Sequence, residues 1–460
     1  MKIVIVGAGQ VGGTLAEHLA GEANDITVID TDTDRLGELQ DKLDIRTIDG
    51  MGCMPEVLLR AGTESADMIV AVTNSDEINM LACQIAYSLF RTPTKIARIR
   101  SPAYTNPRWK DKLFDAEQIH VDVAITPEQV VTDYIHKLIE QPGSLQVLDF
   151  ANGIAQLVGM RAFKDGPLIG HELRSLKDHM PNVDSRVAAI FRKGRAIVPE
   201  GDTIIEEGDE VFFIAAKKDI RKVMGELRHL ENPYQRIVIA GGGNIGFRLA
   251  KVLENHYNVK IIELFKSRCN FLAENLTKTI VLQGSATDQD LLLDENIDKA
   301  DLFLAVTNND ENNIMSSLLA KKMGCRQVMT LIQNHVYANL MQGGDIDIAI
   351  SPQQATTSLL LTHVRKSGAI NVHSLRRGAA EAMEIIVHGD EKNSKVVGRA
   401  IEDIKSPPGV TLAAIVRDDK VIICHHDTVV QSGDHAIVFV VDKKRVREVE
   451  QLFRVGLTFF

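Results

Sequence analysis

The amino-acid sequence is written twice, and this duplication restricts the available folds more than any other feature. Lys2-Ile3-Val4-Ile5-Val6-Gly7-Ala8-Gly9-Gln10-Val11-Gly12 returns as Arg236-Ile237-Val238-Ile239-Ala240-Gly241-Gly242-Gly243-Asn244-Ile245-Gly246. Ile26-Thr27-Val28-Ile29-Asp30 returns as Val259-Lys260-Ile261-Ile262-Glu263, and Ala71-Val72-Thr73-Asn74 as Ala305-Val306-Thr307-Asn308. Asp76, Glu77 and Asn79 match Asp310, Glu311 and Asn313. Asp122-Val123-Ala124-Ile125-Thr126-Pro127 matches Asp347-Ile348-Ala349-Ile350-Ser351-Pro352. A second block repeats as well, with Gly201-Asp202-Thr203 through Gly208-Asp209-Glu210 resembling His426-Asp427-Thr428 through Gly433-Asp434-His435. The 460 residues alone suggest about three domains, but the repeats make four modules, in the order large, small, large, small. Breaks at Gln141-Pro142-Gly143, Glu231-Asn232-Pro233 and Arg376-Arg377-Gly378 set them at residues 1–140, 141–232, 233–375 and 376–460.

Each large module alternates strand and helix. Residues 3–6 and 68–72 are continuous apolar runs, the pattern of strands buried on both faces of a parallel sheet. The expected fold class is therefore α/β: tandem Rossmann-like doubly wound domains, each followed by a small α+β module. The small modules read as strand, Gly-Asp turn, strand and a charged helix, at 219–230 in one copy and 443–453 in the other.

Composition excludes several classes. The net charge of -10 argues against duplex nucleic acid as a partner. Cys53, Cys83, Cys269, Cys325 and Cys424 are odd in number and form no CxxC pair, which disfavours a disulfide framework or structural zinc and fits a reducing compartment. No apolar run approaches the roughly 18–20 residues of a membrane span, and the start lacks a signal peptide's pattern, so a cytoplasmic protein is expected. His120, His136, His171 and His179 lack metal-ligand spacing, and His425-His426 reads as a turn. Trp109 reads as a helix-surface residue and Lys443-Lys444-Arg445-Val446-Arg447 as a solvated helix face. The apolar terminus Leu457, Phe459 and Phe460 is a candidate docking segment.

Gly7-x-Gly9-x-x-Gly12 ends a strand and opens a helix. Its glycines permit a tight turn, close approach of a pyrophosphate and close helix–strand packing, with the helix N-terminus facing the phosphates. Gly241-Gly242-Gly243-Asn244-Ile245-Gly246 repeats the loop. Asp30 and Glu263 end the second strand of each copy, where a carboxylate accepts ribose hydroxyls and repels a 2′-phosphate, favouring NAD over NADP. Thr73-Asn74 and Thr307-Asn308 end a third buried strand, as ligand contacts, as a helix cap, or as both. Arg98 and Arg100 alternate onto one face and suit phosphate. The second copy has Leu331 and Gln333 there, so the first site is expected to take extra phosphate charge better.

A hydride-transferring enzyme needs an acid or base held against the reacting carbon, and no such constellation stands out, so no catalytic residue is assigned. In combination, the module order, both glycine loops, the Ala-Val-Thr-Asn stretches with Asp76/Asn79 and Asp310/Asn313, and the Gly-Asp small modules resemble the RCK (also called KTN) family. That resemblance implies lobes binding NAD or NADH and ATP or ADP. It also implies assembly as a homo-oligomeric gating ring, expected to be a tetramer. The ring would dock on a separate potassium-translocating membrane subunit, peripheral to the cytoplasmic side of the cell (inner) membrane. Carried over by position, the first site comprises Gly7, Ala8, Gly9, Gln10, Val11, Asp30, Met51, Thr73, Asn74 and Arg98. The second comprises Gly241, Gly242, Gly243, Asn244, Ile245, Glu263, Ser285 and Thr307. Many members carry an acid where Met51 and Ser285 stand, a departure on the adenine side that Asp49 partly offsets in the first copy. The alternatives are a soluble NAD-dependent oxidoreductase and a ring scaffold with vestigial nucleotide sites.

Overall fold

The computed structural model describes residues 1–20, 24–115, 117–341, 344–364, 369–375 and 379–456. The break expected at Arg376-Arg377-Gly378 and the apolar terminus 457–460 lie outside the described residues.

The first large lobe is built on β1 (Lys2–Val6), β2 (Asp25–Asp30), β3 (Arg46–Asp49), β4 (Met68–Ala71), β5 (Thr94–Arg98) and β6 (Val123–Ile125). Their order is β3-β2-β1-β4-β5-β6, with every pair parallel. This is the doubly wound arrangement expected from the apolar runs. Val4, Ile5 and Val6 are buried, as are Ile69, Val70 and Ala71, because helices cover both faces of the sheet. Helix Gln10–Ala20 starts two residues before the glycine at which the motif ends, since Gly13 N–H already donates to Gly9 O at 2.8 Å.

The first small module carries β7 (Ser144–Phe150), β8 (Ala155–Arg161), β9 (Ser185–Arg192), β10 (Arg195–Ile197) and β11 (Glu210–Ala216) as an antiparallel sheet of order β10-β9-β11-β8-β7. The second large lobe repeats the first with β12 (Arg236–Ala240), β13 (Asn258–Glu263), β14 (Ile280–Gln283), β15 (Leu302–Ala305), β16 (Gln327–Leu331) and β17 (Ile348–Ile350), ordered β14-β13-β12-β15-β16-β17. The last sheet, β18-β19-β22-β20-β21, uses β18 (Ala369–Leu375), β19 (Ala380–Ile386), β20 (Val410–Arg417), β21 (Lys420–Ile423) and β22 (His435–Val440).

Of the two strands expected around each Gly-Asp turn, only the one after it forms among the described residues. Residues 203–207 make only isolated bridges, such as Ile169 with Ile205. The Gly-Asp turn explains this. Buried Asp209 accepts from Glu206 N–H at 2.9 Å, bending the segment, and holds Arg192 through Nε at 2.9 Å and Nη2 at 2.8 Å. Asp434 repeats the arrangement with Gln431 N–H and Arg417. The Gly-Asp repeat therefore marks a bidentate ion pair that closes a corner of each small sheet.

Compact units do not follow chain order. One consists of Met1–Pro127, Thr356–Arg417 and Cys424–Phe460, the other of Glu128–Ala355 and Asp418–Ile423. In the second unit the helix Pro127–Glu140 contributes Val131, Ile135 and Leu138 to a core that also contains Ile237, Ile239 and Leu249 of the second large lobe. In the first, Leu360, Leu361 and Val364 of helix Pro352–Val364 share a core with Ile3, Ile5, Val70 and Ile96. Each large lobe is thus cored by the closing helix of the other half.

Candidate functional site

A doubly wound sheet offers its crevice outside the carboxyl ends of the strands, where the winding reverses, here between β1 and β4 and between β12 and β15. Both glycine loops lie there. Gly7 has φ +110° and Gly241 φ +106°, a left-handed turn that L side chains rarely adopt. At Gly7 a Cβ would also sit 3.1 Å from Thr73 N, so this glycine lets the β1 and β4 ends meet. A Cβ on Gly12 would lie 3.1 Å from the Gly7 carbonyl carbon and press into its oxygen, and Gly246 stands in the same relation to Gly241. The middle glycines are open: Gly243 has nothing within 4 Å of an added Cβ, and Gly9 only Arg35 Nη1 at 3.8 Å. Tight turn, open middle and packed third position make a loop whose backbone is accessible from the crevice.

The two acids are already at work within the chain. Asp30 accepts from Ala8 N–H at 2.5 Å and from Asp32 N–H at 2.9 Å. Glu263 accepts from Gly242 N–H at 2.8 Å and Phe265 N–H at 2.9 Å. A carboxylate has about four acceptor positions, so two remain for hydroxyls. Glu263 is one methylene longer, and the space comes from its neighbour. A Cβ at Gly242 would lie 3.0 Å from Glu263 Oε2 and collide with Leu272, whereas the first copy tolerates Ala8 beside the shorter Asp30.

Thr73 and Thr307 are held rather than displayed. Thr73 N–H and Oγ1–H donate to Asn79 Oδ1 at 2.9 and 2.7 Å, while Asn79 Nδ2 donates to Arg98 O at 2.9 Å. Asn313 does the same for Thr307 and Leu331. Asp76 accepts from Arg100 and Ser101 N–H, and Asp310 from Gln333 and Asn334 N–H. The Asp/Asn signature therefore clamps the ends of β4 and β5, and of β15 and β16. The helix cap falls to Ser75, which accepts from Ile78 N–H at 3.2 Å, and to Asn309 in the second lobe. Asn74 is exposed at the crevice edge.

The remaining expected residues sit on the same edge. Half-buried Arg98 ends β5, and exposed Arg100 follows buried Ile99. Met51 and Ser285 follow the β3 and β14 ends, exposed, with Ser285 Oγ 2.8 Å from Thr287 Oγ1. Val11 packs in the core, so only its backbone faces the crevice, while Gln10 and Asn244 are exposed. Sequence reasoning missed one pair. Arg268 donates to Gly242 O at 2.5 Å and Gly243 O at 3.2 Å, and its guanidinium lies 4.3 Å from the Phe271 ring centroid. Arg35, at the matching position, pairs with Asp32 at 3.2 Å beside Gly9. The signal was an arginine five residues after each acid. Among the described residues no group of three or more His, Cys, Asp or Glu could hold a metal. Nor is any described helix long and apolar enough to cross a membrane.

The fold and both crevices define tandem Rossmann-like lobes of nucleotide-binding type, each joined to a small antiparallel module. The TrkA-N domain matches residues 3–127 and 237–352, and the TrkA-C domain matches 160–228 and 383–454. The Trk system potassium uptake protein TrkA of Halomonas elongata is 62% identical over 460 residues, covering all of both chains. That of Vibrio alginolyticus is 58% identical over 454 residues, 99% of each. The chain belongs to this TrkA family. Its fold is that of the GsuK channel bound to NAD, with a TM-score of 0.60 at 17% identity over 98% of this chain and 78% of that one.

Proposed function

We propose that the protein is a nucleotide-sensing regulatory subunit of a Trk-type potassium uptake system, controlling a separate membrane pore and not acting as an enzyme. The observation that carries this is the pair of open-middled glycine crevices, each with a carboxylate that retains acceptor capacity, in a chain of the TrkA family. NAD or NADH is the ligand best suited to both crevices, since Asp30 and Glu263 would repel a 2′-phosphate, and NAD occupies the GsuK channel of the same fold. ATP or ADP suits the first crevice better, because Arg98 and Arg100 lie at its edge where the second has Leu331 and Gln333. The protein would work as a homo-oligomeric ring, a tetramer, on the cytoplasmic face of the membrane.

Ligands control such a ring only by binding its two states unequally. Moving a 1:99 equilibrium to 99:1 takes about 5.5 kcal/mol, so several crevices sharing the work need about 1 kcal/mol each. The test is co-purification with a potassium-translocating membrane subunit, followed by potassium flux in vesicles with and without ATP and NADH. Nucleotide-dependent flux that is blunted by Asp30→Ala is expected. Flux indifferent to both nucleotides, or steady oxidation of NADH by a metabolite, would overturn the reading. Equal ATP affinity at the two crevices in single-site variants would remove the assigned asymmetry.

A further inference from the structure

The second large lobe has a cavity on the edge of its sheet opposite the glycine crevice. It measures about 350 Å³ and is lined at the amino-terminal ends of β12, β13 and β14 by Arg236, Lys260, Lys278 and Lys299, with Glu295 and Asn296. Four cations face one carboxylate. Lys260 Nζ donates to Glu295 Oε2 at 2.8 Å and to the Glu295 backbone O at 3.0 Å, an ion pair that balances that carboxylate's charge. Lys299 Nζ reaches only the neutral Asn296 Oδ1, at 2.9 Å. Among the described residues no acid forms a side-chain ion pair with Arg236, Lys278 or Lys299, although the Glu254 and Asp301 carboxylates accept from the backbone N–H groups of Lys278 and Arg236, each at 2.9 Å, so three cationic side chains are left unpaired.

The internal repeat shows that the fold does not require this. Strand pairing sets Thr27 of the first lobe against Lys260, since each is the partner of the matching β1 or β12 residue, Val4 or Val238. By the same register Asp44, Ala61 and Ser65 stand where the second lobe has Lys278, Glu295 and Lys299. Thr27 is buried, the ordinary state of a position between two parallel strands. Placing a lysine there brings desolvation, and Glu295, absent from the first lobe, offsets it. Two further changes, acid to lysine and serine to lysine, then raise the charge; the one acid gained nearby, Glu254 in place of Ala20, spends its carboxylate on the Thr277, Lys278 and Thr279 backbone N–H groups and pairs with neither lysine side chain.

We propose that this cavity is an anion site, distinct from the nucleotide crevices, for a small soluble polyphosphate. A half-open space of this volume admits a compact ligand. Compact ammonium charges plus one guanidinium fork suit adjacent phosphate groups, and three free cations match a polyanion better than orthophosphate.

Calorimetry of the full chain with sodium tripolyphosphate, orthophosphate and citrate at physiological salt tests the site. The variants are Lys278→Glu with Lys299→Glu, and a transplant of the first-lobe residues (Lys260→Thr, Glu295→Ala, Lys278→Asp, Lys299→Ser), whose side chains this fold already accommodates. Tripolyphosphate binding at least tenfold tighter than orthophosphate or citrate, and weakened at least tenfold in both variants, is the expected result. Absence of binding to the unaltered chain, undiminished binding in either folded variant, or citrate bound as tightly would overturn the proposal. NADH titration of the same variants reads the crevices separately, so failure there bears on the nucleotide reading alone.

Discussion

Gly243 and Gly246 sit three residues apart in one loop, yet alanine should do opposite things to them. At Gly246 an added Cβ meets the Gly241 carbonyl, its carbon at 3.1 Å and its oxygen nearer still. Backbone cannot swing aside as a side chain can, so helix Asn244–Leu253 must lift from β12. Overpacking of this kind costs about 1–3 kcal/mol, and contact with rigid backbone places this case at the upper end. At Gly243 the Cβ meets nothing within 4 Å, and the backbone, at φ -62°, is one any L-residue adopts. Gly243→Ala should therefore fold normally, even gaining about 0.4–1 kcal/mol through the unfolded chain. The methyl group would then occupy the space through which a pyrophosphate approaches the loop amides. Loss of one or two charge-assisted hydrogen bonds, about 1.5–3 kcal/mol each, weakens binding at least tenfold. Urea denaturation and NADH titration should separate the two: Gly246→Ala loses stability with or without nucleotide, and Gly243→Ala loses nucleotide alone. Gly243→Ala binding NADH as the parent does, in a background where the first crevice is disabled by Gly9→Val, would refute the assignment of the open middle to a phosphate.

Other outcomes follow from buried charge and burial. Asp209→Asn should cost about 3 kcal/mol in urea denaturation, the low end for breaking a buried pair, because Arg192 is 26% exposed and keeps Glu206. Asp434→Asn should do the same in the second small module. Glu254 is buried, which alone would raise its pKa, but backbone N–H groups of Lys278, Thr277 and Thr279 and the Thr279 hydroxyl outweigh burial and hold it below the usual 4.5. Its stabilisation is therefore complete above pH 4.5 and is lost as pH falls through the lower, folded value, so Glu254→Gln should flatten the acid limb of melting temperature against pH. All five cysteines are buried, and burial pushes the Cys325 thiol up to about 11, so maleimide at neutral pH should label none of them until denaturant is added.

The parallel sheets were legible because continuous apolar runs have one economical solution, strands covered on both faces. The glycine turns were legible because left-handed backbone at Gly7 and Gly241 admits little else. What the sequence concealed are side chains whose partners lie across the fold. The repeat marks Asn79 but not its task, and only the neighbouring positions of β4 and β5 show that it ties Thr73 to Arg98 O. The 203–207 segment reads as a strand by its apolar pair, but Asp209 captures the Glu206 amide and no ladder forms. Arg268 escaped because its target is a pair of glycine carbonyls, which leave no trace in composition.

The duplication also separates what each lobe must keep from what it was free to change. The Asn and Asp clamps, the outer glycines of each loop and the buried Gly-Asp corners occur in both copies with the same partners. Elsewhere the copies reach one end by different means. Asp122 is neutralised by Lys95 from β5 at 2.9 Å, whereas Asp347 is neutralised at 2.7 Å by Lys321 from helix Asp310–Lys322, the position where the first copy has Tyr87. Ala8 with Asp30 and Gly242 with Glu263 trade a methyl group for a methylene in the same way. Such exchanges preserve architecture, so they carry no information about ligands. Arg98 and Arg100 give way to Leu331 and Gln333, and Asp44 and Ser65 give way to Lys278 and Lys299, exchanges that change the local charge. Those changes of charge are where the two lobes should differ in the ligands they hold.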